Sequence, residues 1–127
     1  MNTVLVSGLV TPPHDHATWA VIGVYGGRED NRFYRKSTTG LEEIARQALR
    51  VGSSILLDPG VIHAVANPLE VPTLAIHVYG TDLLTSQRSM WHPRTLEACD
   101  YDPARFLKWC AELRRTPADQ AASKGHA

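Results

Sequence analysis

Two histidines one residue apart, His14 and His16, follow directly on Pro12-Pro13, and this pair constrains the chain more than any other feature. Alternate residues of a β-strand project from one face, so His-x-His on a strand presents two imidazoles side by side. Imidazoles so placed need either hydrogen-bond partners or a metal ion. A third histidine lies in Gly60-Val-Ile-His63-Ala-Val-Ala-Asn67, where Pro59-Gly60 predicts a tight reversal that returns the chain as a strand bearing the imidazole. Three neutral nitrogen donors leave coordination positions open on the far side of an ion, which separates a catalytic centre from a closed structural one. The expected metal ligands are therefore His14, His16 and His63.

The rest of the chain reads as a frame for such a site. Eight prolines and nine glycines separate short apolar segments, which favours an all-β domain. Strands are expected near Thr3 to Ser7, Thr18 to Tyr25, Arg32 to Ser37, Ile55 to Leu57, Val61 to Val65 and Thr73 to Tyr79. Gly26 to Asn31 reads as a turn, with Arg28-Glu29-Asp30 solvated. Leu41 to Arg50 is helical in composition, yet its β-rich surroundings leave helix and strand both open. One helix is expected from Asp102 to Arg114: Asp102 can cap it, Pro103 suits its first turn, and Phe106, Trp109, Cys110 and Leu113 share a face that covers an open end of the barrel. Arg114 and Arg115 suit its C-terminal end, and Pro117 stops it. At 127 residues one domain is expected, over 1–115, with 116–127 as a flexible tail.

Several function classes recede on composition. Thirteen basic residues balance thirteen acidic ones, so the charge points to neither nucleic acid nor an anionic membrane. No apolar run reaches membrane-spanning length, and Met1 to Leu9 lacks the basic start of a signal peptide. Cys99 and Cys110 form no disulfide framework and read as packing residues, consistent with a reducing cytoplasm. Trp19 and Tyr25 read as core or as lining of the barrel mouth, and His92 and His126 as surface residues.

The two histidine segments together resemble the paired motifs of the cupin superfamily: His14-Asp-His16 followed by Gly23, then Gly60-x2-His63-x3-Asn67. Many cupins carry a glutamate ligand shortly after His-x-His, where this chain has Ala20 and Val21. That absence resembles the thiol dioxygenases (cysteine dioxygenase and 3-mercaptopropionate dioxygenase), whose iron is held by three histidines. The similarity continues through Thr18 to Tyr25, Asn31 to Arg35, Asn67 to Leu74 and His77 to Asp82, and covers residues 11–102. It implies a cupin double-stranded β-helix, or jelly-roll barrel, with a C-terminal helix. It also implies an Fe(II) cofactor, and oxidation of a small thiol carboxylic acid to its sulfinate with O2.

Further site residues follow from the same resemblance. Ala75, His77 and Tyr79 share one face of a strand. They align with a Ser-x-His-x-Tyr segment that ends at a tyrosine hydroxyl near the iron-bound ligands; His77 and Tyr79 match, and Ala75 stands where the serine is expected. The thirteen residues before His14 contain no counterpart of the arginine that grips the carboxylate of cysteine. Arg88 matches an arginine of the 3-mercaptopropionate enzymes; a carboxylate grip and a plain surface role both remain open for it. No cysteine–tyrosine crosslink is expected, since the aligned position is Val21. A homodimer is a further expectation. Two other classes stay open: a three-histidine zinc site doing hydrolytic, lyase-type or biosynthetic chemistry, and a non-catalytic small-molecule-binding cupin.

Overall fold

The computed structural model of the protein describes residues 1–114. Its elements are β1 (Asn2–Leu5), β2 (His14–Asp15), β3 (Ala20–Gly26), β4 (Arg28–Ser37), β5 (Gly40–Arg50), β6 (Ser54–Leu57), β7 (Ile62–Ala66), β8 (Thr73–Tyr79), β9 (Ser89–Trp91), β10 (Ala98–Asp100) and α1 (Pro103–Leu113). The strands form two antiparallel sheets, one ordered β1-β8-β3-β6 and the other β10-β9-β2-β7-β4-β5. This is the all-β architecture with a C-terminal helix that the sequence predicts. The tail expected over 116–127, with His126, lies outside the described residues, as does Arg115.

The core forms where the two sheets meet. Along β3, Ala20, Ile22 and Val24 alternate inward and are buried with Leu57 of β6, Ala75 of β8 and Leu49 of β5. Each large aliphatic side chain buried there contributes about 1.5–3 kcal/mol. Along β8, Thr73, Ala75 and His77 are buried on the inward face, while Ile76 and Val78 are exposed with Val4 and Leu56 on the outer face of that sheet. Trp19 and Tyr25, read from sequence as core or mouth, are 44% and 48% exposed. A second apolar cluster, Leu41, Ile62 and Trp91, packs against Tyr34 and Leu96.

The segment Gly40–Arg50 resolves as an eleven-residue strand. Its helix-forming composition is overridden by pairing with β4 along its length, reinforced by cross-strand ion pairs such as Arg35 with Glu42 at 3.0 Å. The predicted turn over Gly26–Asn31 is a correction, because β4 already begins at Arg28 and Glu29, read as solvated, is buried. Gly27 alone separates β3 from β4, as a bend that passes the chain from the four-stranded sheet to the six-stranded one. Gly27 has φ +77°, and a Cβ there would lie 2.6 Å from Thr73 Oγ1. That hydroxyl accepts from Arg28 N–H at 3.0 Å and donates to Arg28 C=O at 2.7 Å, fixing the start of β4. From that start, Glu29, Asn31 and Phe33 alternate toward the interior. Arg28 and Asp30 face the other way and pair at 2.9 Å.

Short elements close the molecule around the histidines. Asp58 and Val61 bracket the reversal at Pro59-Gly60, with Val61 N–H donating to Asp58 C=O at 3.0 Å, so β7 starts just before His63. Asn67 ends that motif by donating to the carbonyls of Leu5, Val6 and Val71 and accepting from Leu69 N–H. Helix α1 is capped by Asp102, whose carboxylate accepts from Ala104 and Arg105 N–H. Trp109 and Cys110 are its buried residues, and burial pushes the Cys110 thiol up to about 11, which suits packing rather than nucleophilic chemistry. Among the described residues, no helix is long and apolar enough to cross a membrane.

Candidate metal centre

The pairing of β2 with β7 sets His14 directly opposite His63. β2 holds only His14 and Asp15, so His16 is carried just beyond the strand rather than on it. The chain turns away at Ala17, whose φ of +55° is a left-handed conformation unusual for a residue with a Cβ. The result is convergence. One nitrogen from each of His14, His16 and His63 lies within 4.8 Å of the others, all three side chains are buried, and the group contains no aspartate, glutamate or cysteine. His63 Nε2 and His16 Nε2 are 3.4 Å apart.

Hydrogen bonds at the back of two rings aim the remaining nitrogens inward. His14 Nδ1 donates to the Pro12 carbonyl at 2.9 Å, leaving Nε2 for the shared point. His63 Nδ1 donates to Asn31 Oδ1 at 2.8 Å, and Asn31 is itself buried. Phe106 of α1 meets the His14 ring edge-on at 5.2 Å between centroids, so the predicted helix face covers this side of the centre.

Electrostatics keep the three rings uncharged. Burial lowers His14 to about 4 and His16 to about 3, with the positive charge of Arg88 acting in the same direction on both. Burial holds His63 well below its ordinary range. Three neutral imidazoles with inward lone pairs fit a divalent transition metal, and nothing else in the group would compensate protons there.

A second set of polar groups borders the trio. Tyr79 packs its ring 5.0 Å from that of His16, and its hydroxyl lies 3.0 Å from His77 Nδ1. Burial pushes the Tyr79 phenol up to about 12, so it keeps its proton at neutral pH. The other nitrogen of His77, Nε2, faces Glu29 Oε2 at 3.4 Å. Glu29 is fully buried, and neither of its carboxylate oxygens has a hydrogen-bond partner. Ala75, where the serine was expected, sits in the hydrophobic core.

Arg88 is half-buried between two groups. Its guanidinium carbon lies 3.5 Å from the centroid of the Tyr101 ring, and Nη1 donates to the Asp15 carbonyl at 3.4 Å. Its Nε is buried with no partner. Other singled-out residues stand apart from the site. His92 is half-buried, accepts from Arg94 and Thr95 N–H, and meets Trp109 edge-on; Cys99 is half-buried. A groove of about 570 Å³ lies on the outer side of the six-stranded sheet, lined by residues such as Arg28, Arg32, Tyr34 and Arg46, and includes none of the three histidines.

Glu29 and Asn31 are the residues that the sequence reading missed. Their signal was the alternation Glu29, Asn31, Phe33, which extends the strand expected from Arg32 back to Arg28. The glycines beside it and the charges within it read as a turn instead.

No protein-family description matches the chain. Solved structures do resemble it. Drosophila melanogaster CENP-C bound to CAL1 superposes with a TM-score of 0.54 and 14% identity, over 62% of this chain and 59% of that one. The DMSP lyase DddQ from Ruegeria pomeroyi gives 0.56 and 18%, over 73% and 42%, and an oxalate oxidase in complex with the substrate analogue glycolate gives 0.52 and 17%, over 63% and 40%. The chain thus spans less than two thirds of the length of each. The CENP-C domain is described as a cupin domain, with a TM-score of 0.51. At such identities the likeness is one of fold alone. The chain has the cupin fold, and inside it three buried histidines form a group that could hold a metal ion.

Proposed function

We propose that the protein is an Fe(II)-dependent dioxygenase that converts a small thiol carboxylic acid to its sulfinate. The observation that carries this reading is the three-histidine group with no acidic side chain in it. Neutral donors leave the full charge of a divalent ion uncompensated, and such an ion favours an anionic sulfur ligand over the neutral thiol. Bound iron would supply the redox chemistry that lets O2 react with sulfur, which zinc does not.

In the balanced reaction, R–SH and O2 give R–SO2⁻ and a proton. The S–H bond and the O–O bond break, two S–O bonds form, and sulfur loses the four electrons that O2 gains. The chain's residues have distinct parts in it. His14, His16 and His63 would hold the ion, and Tyr79 presents a protonated hydroxyl beside them. Arg88, fixed by Tyr101 and Asp15 but with an unpartnered Nε, would grip the substrate carboxylate.

The test is metal analysis with oxygen-electrode assays on cysteine, 3-mercaptopropionate and mercaptosuccinate. The expected outcome is one iron per chain and one O2 consumed per thiol, with a product two oxygen atoms heavier. Arg88→Gln should raise KM for thiol carboxylates by about tenfold, the worth of a charge-assisted hydrogen bond, and leave a thiol without a carboxylate unaffected. Activity persisting without O2 on native zinc, or a protein with no bound transition metal, would overturn the proposal.

A further inference from the structure

Glu29 is the buried ionisable group that the reading above leaves without a task. It is 0% exposed, both carboxylate oxygens lack hydrogen-bond partners, and His77 Nε2 faces it at 3.4 Å. A carboxylate so placed costs stability, because desolvation is not repaid by close partners. Its position is nonetheless firmly set, by the bend at Gly27 and the Thr73–Arg28 hydrogen bonds that fix the first residues of β4.

From these contacts we infer that Glu29 is a positioning residue: its carboxylate accepts the Nε2–H of His77 and so orients Nδ1 toward the Tyr79 hydroxyl beside the metal centre. The imidazole has two nitrogens, and fixing the proton on one determines what the other offers. His77 Nδ1 and Tyr79 Oη are 3.0 Å apart, and the Tyr79 ring lies 5.0 Å from that of His16, so the chain of contacts runs from Glu29 to the edge of the histidine trio. Glu29 thereby takes the part of the serine expected at position 75, approaching His77 from the opposite sheet. Ala75 adjoins His77 along β8, whereas Glu29 reaches it from β4. At 3.4 Å the two groups face each other without a formed hydrogen bond, and His77 Nε2 is itself buried with no other partner. A small shift of either side chain closes the gap, as polar contacts of catalytic sites often tighten when ligand binds.

The effect on turnover rests on the dioxygenase reading; the orientation of His77 does not. Long-range ¹H–¹⁵N NMR of metal-free protein should show the His77 proton on Nε2, and Glu29→Leu should lose that preference. Glu29→Gln, which keeps an acceptor oxygen, should retain it. Both variants should keep or raise the thermal midpoint, since each removes a buried charge. With iron loaded equally, Glu29→Leu should lower kcat by about ten- to a hundredfold, as the loss of such outer hydrogen bonds does, with a smaller change in thiol KM. Glu29→Gln should restore most of it. An unprotonated Nε2 in the wild-type protein overturns the inference whether or not the variants fold. So does a Glu29→Leu protein that retains the Nε2 proton, or one whose midpoint falls while turnover per iron is unchanged. If wild-type protein consumes no O2 with any thiol, the dioxygenase reading fails, and the NMR result still decides the role of Glu29.

Discussion

Four histidines are buried among the described residues, and they divide three to one. His14, His16 and His63 converge on one point without an acidic neighbour in the group. His77 stands apart from that point, between the carboxylate of Glu29 and the hydroxyl of Tyr79. The backs of two of the first set, His14 and His63, are tied to neutral acceptors, the Pro12 carbonyl and the Asn31 amide oxygen, so those rings stay neutral donors toward the interior. The difference teaches that burial alone does not make a histidine a metal ligand. What its second nitrogen meets decides whether the first is offered to an ion or to a relay of hydrogen bonds.

The contrast is broken most directly by removing one histidine from each set. His63→Ala should abolish stoichiometric iron binding and oxygen uptake together, because two imidazoles cannot hold the ion in place of three. His77→Ala should keep iron near one per chain and lower turnover per iron by about ten- to a hundredfold, if its role is outside the ligand set. Metal analysis on both proteins decides the matter. Full iron in His63→Ala, or iron lost from His77→Ala, would exchange the roles assigned to the two sets.

A finer cut falls on Asn31. Its amide oxygen accepts from His63 Nδ1 at 2.8 Å and so holds the ring from behind. Asn31→Ala should weaken metal affinity by about ten- to a hundredfold while leaving the bound metal active, since the ligand is present but less well aimed. Competition with a chelator measures this. An unchanged affinity would mean that packing around His63, which is 1% exposed, orients the ring without help.

How much of this was legible in the sequence depends on distance along the chain. His14, His16 and His63 stand in short motifs whose spacing carries information, and the structure does bring their nitrogens together. Ala75, His77 and Tyr79 share a face because strand alternation needs no tertiary knowledge. Glu29 was not legible as an interior residue. Its neighbours Gly26, Gly27, Arg28 and Asp30 are those of a turn, and only pairing of β4 with β5 and β7 shows that the strand begins so early. Leu41 to Arg50 stayed open between helix and strand for the same cause, since a helical composition yields only where a long hairpin partner supplies hydrogen bonds and opposite charges. Tyr25 was not legible as an outer residue because an aromatic in a strand has two faces to choose from, and the outer face of the four-stranded sheet also carries the apolar Val4, Leu56, Ile76 and Val78, whereas Trp19 lies just before β3 begins.

The smallest effect should appear in acid. In the unfolded chain a histidine takes up its proton near pH 6.5, whereas folding lowers His14 to about 4 and His16 to about 3. Between those values the unfolded state binds more protons, so the stability of metal-free protein should be full above about pH 6.5 and decline as the pH falls toward 4. Thermal melts at successive pH values should show the midpoint falling progressively over that window, and His14→Phe, which removes one of the titrating rings, should make the fall shallower. Metal affinity tests the same point from the other side. Because the folded trio carries no protons to displace, affinity should change little between pH 5 and 7, where a site of ordinary histidines would weaken steeply. A steep fall over that range would mean that the three rings take up protons in the folded protein, and the contrast between them and His77 could then not rest on neutral imidazoles.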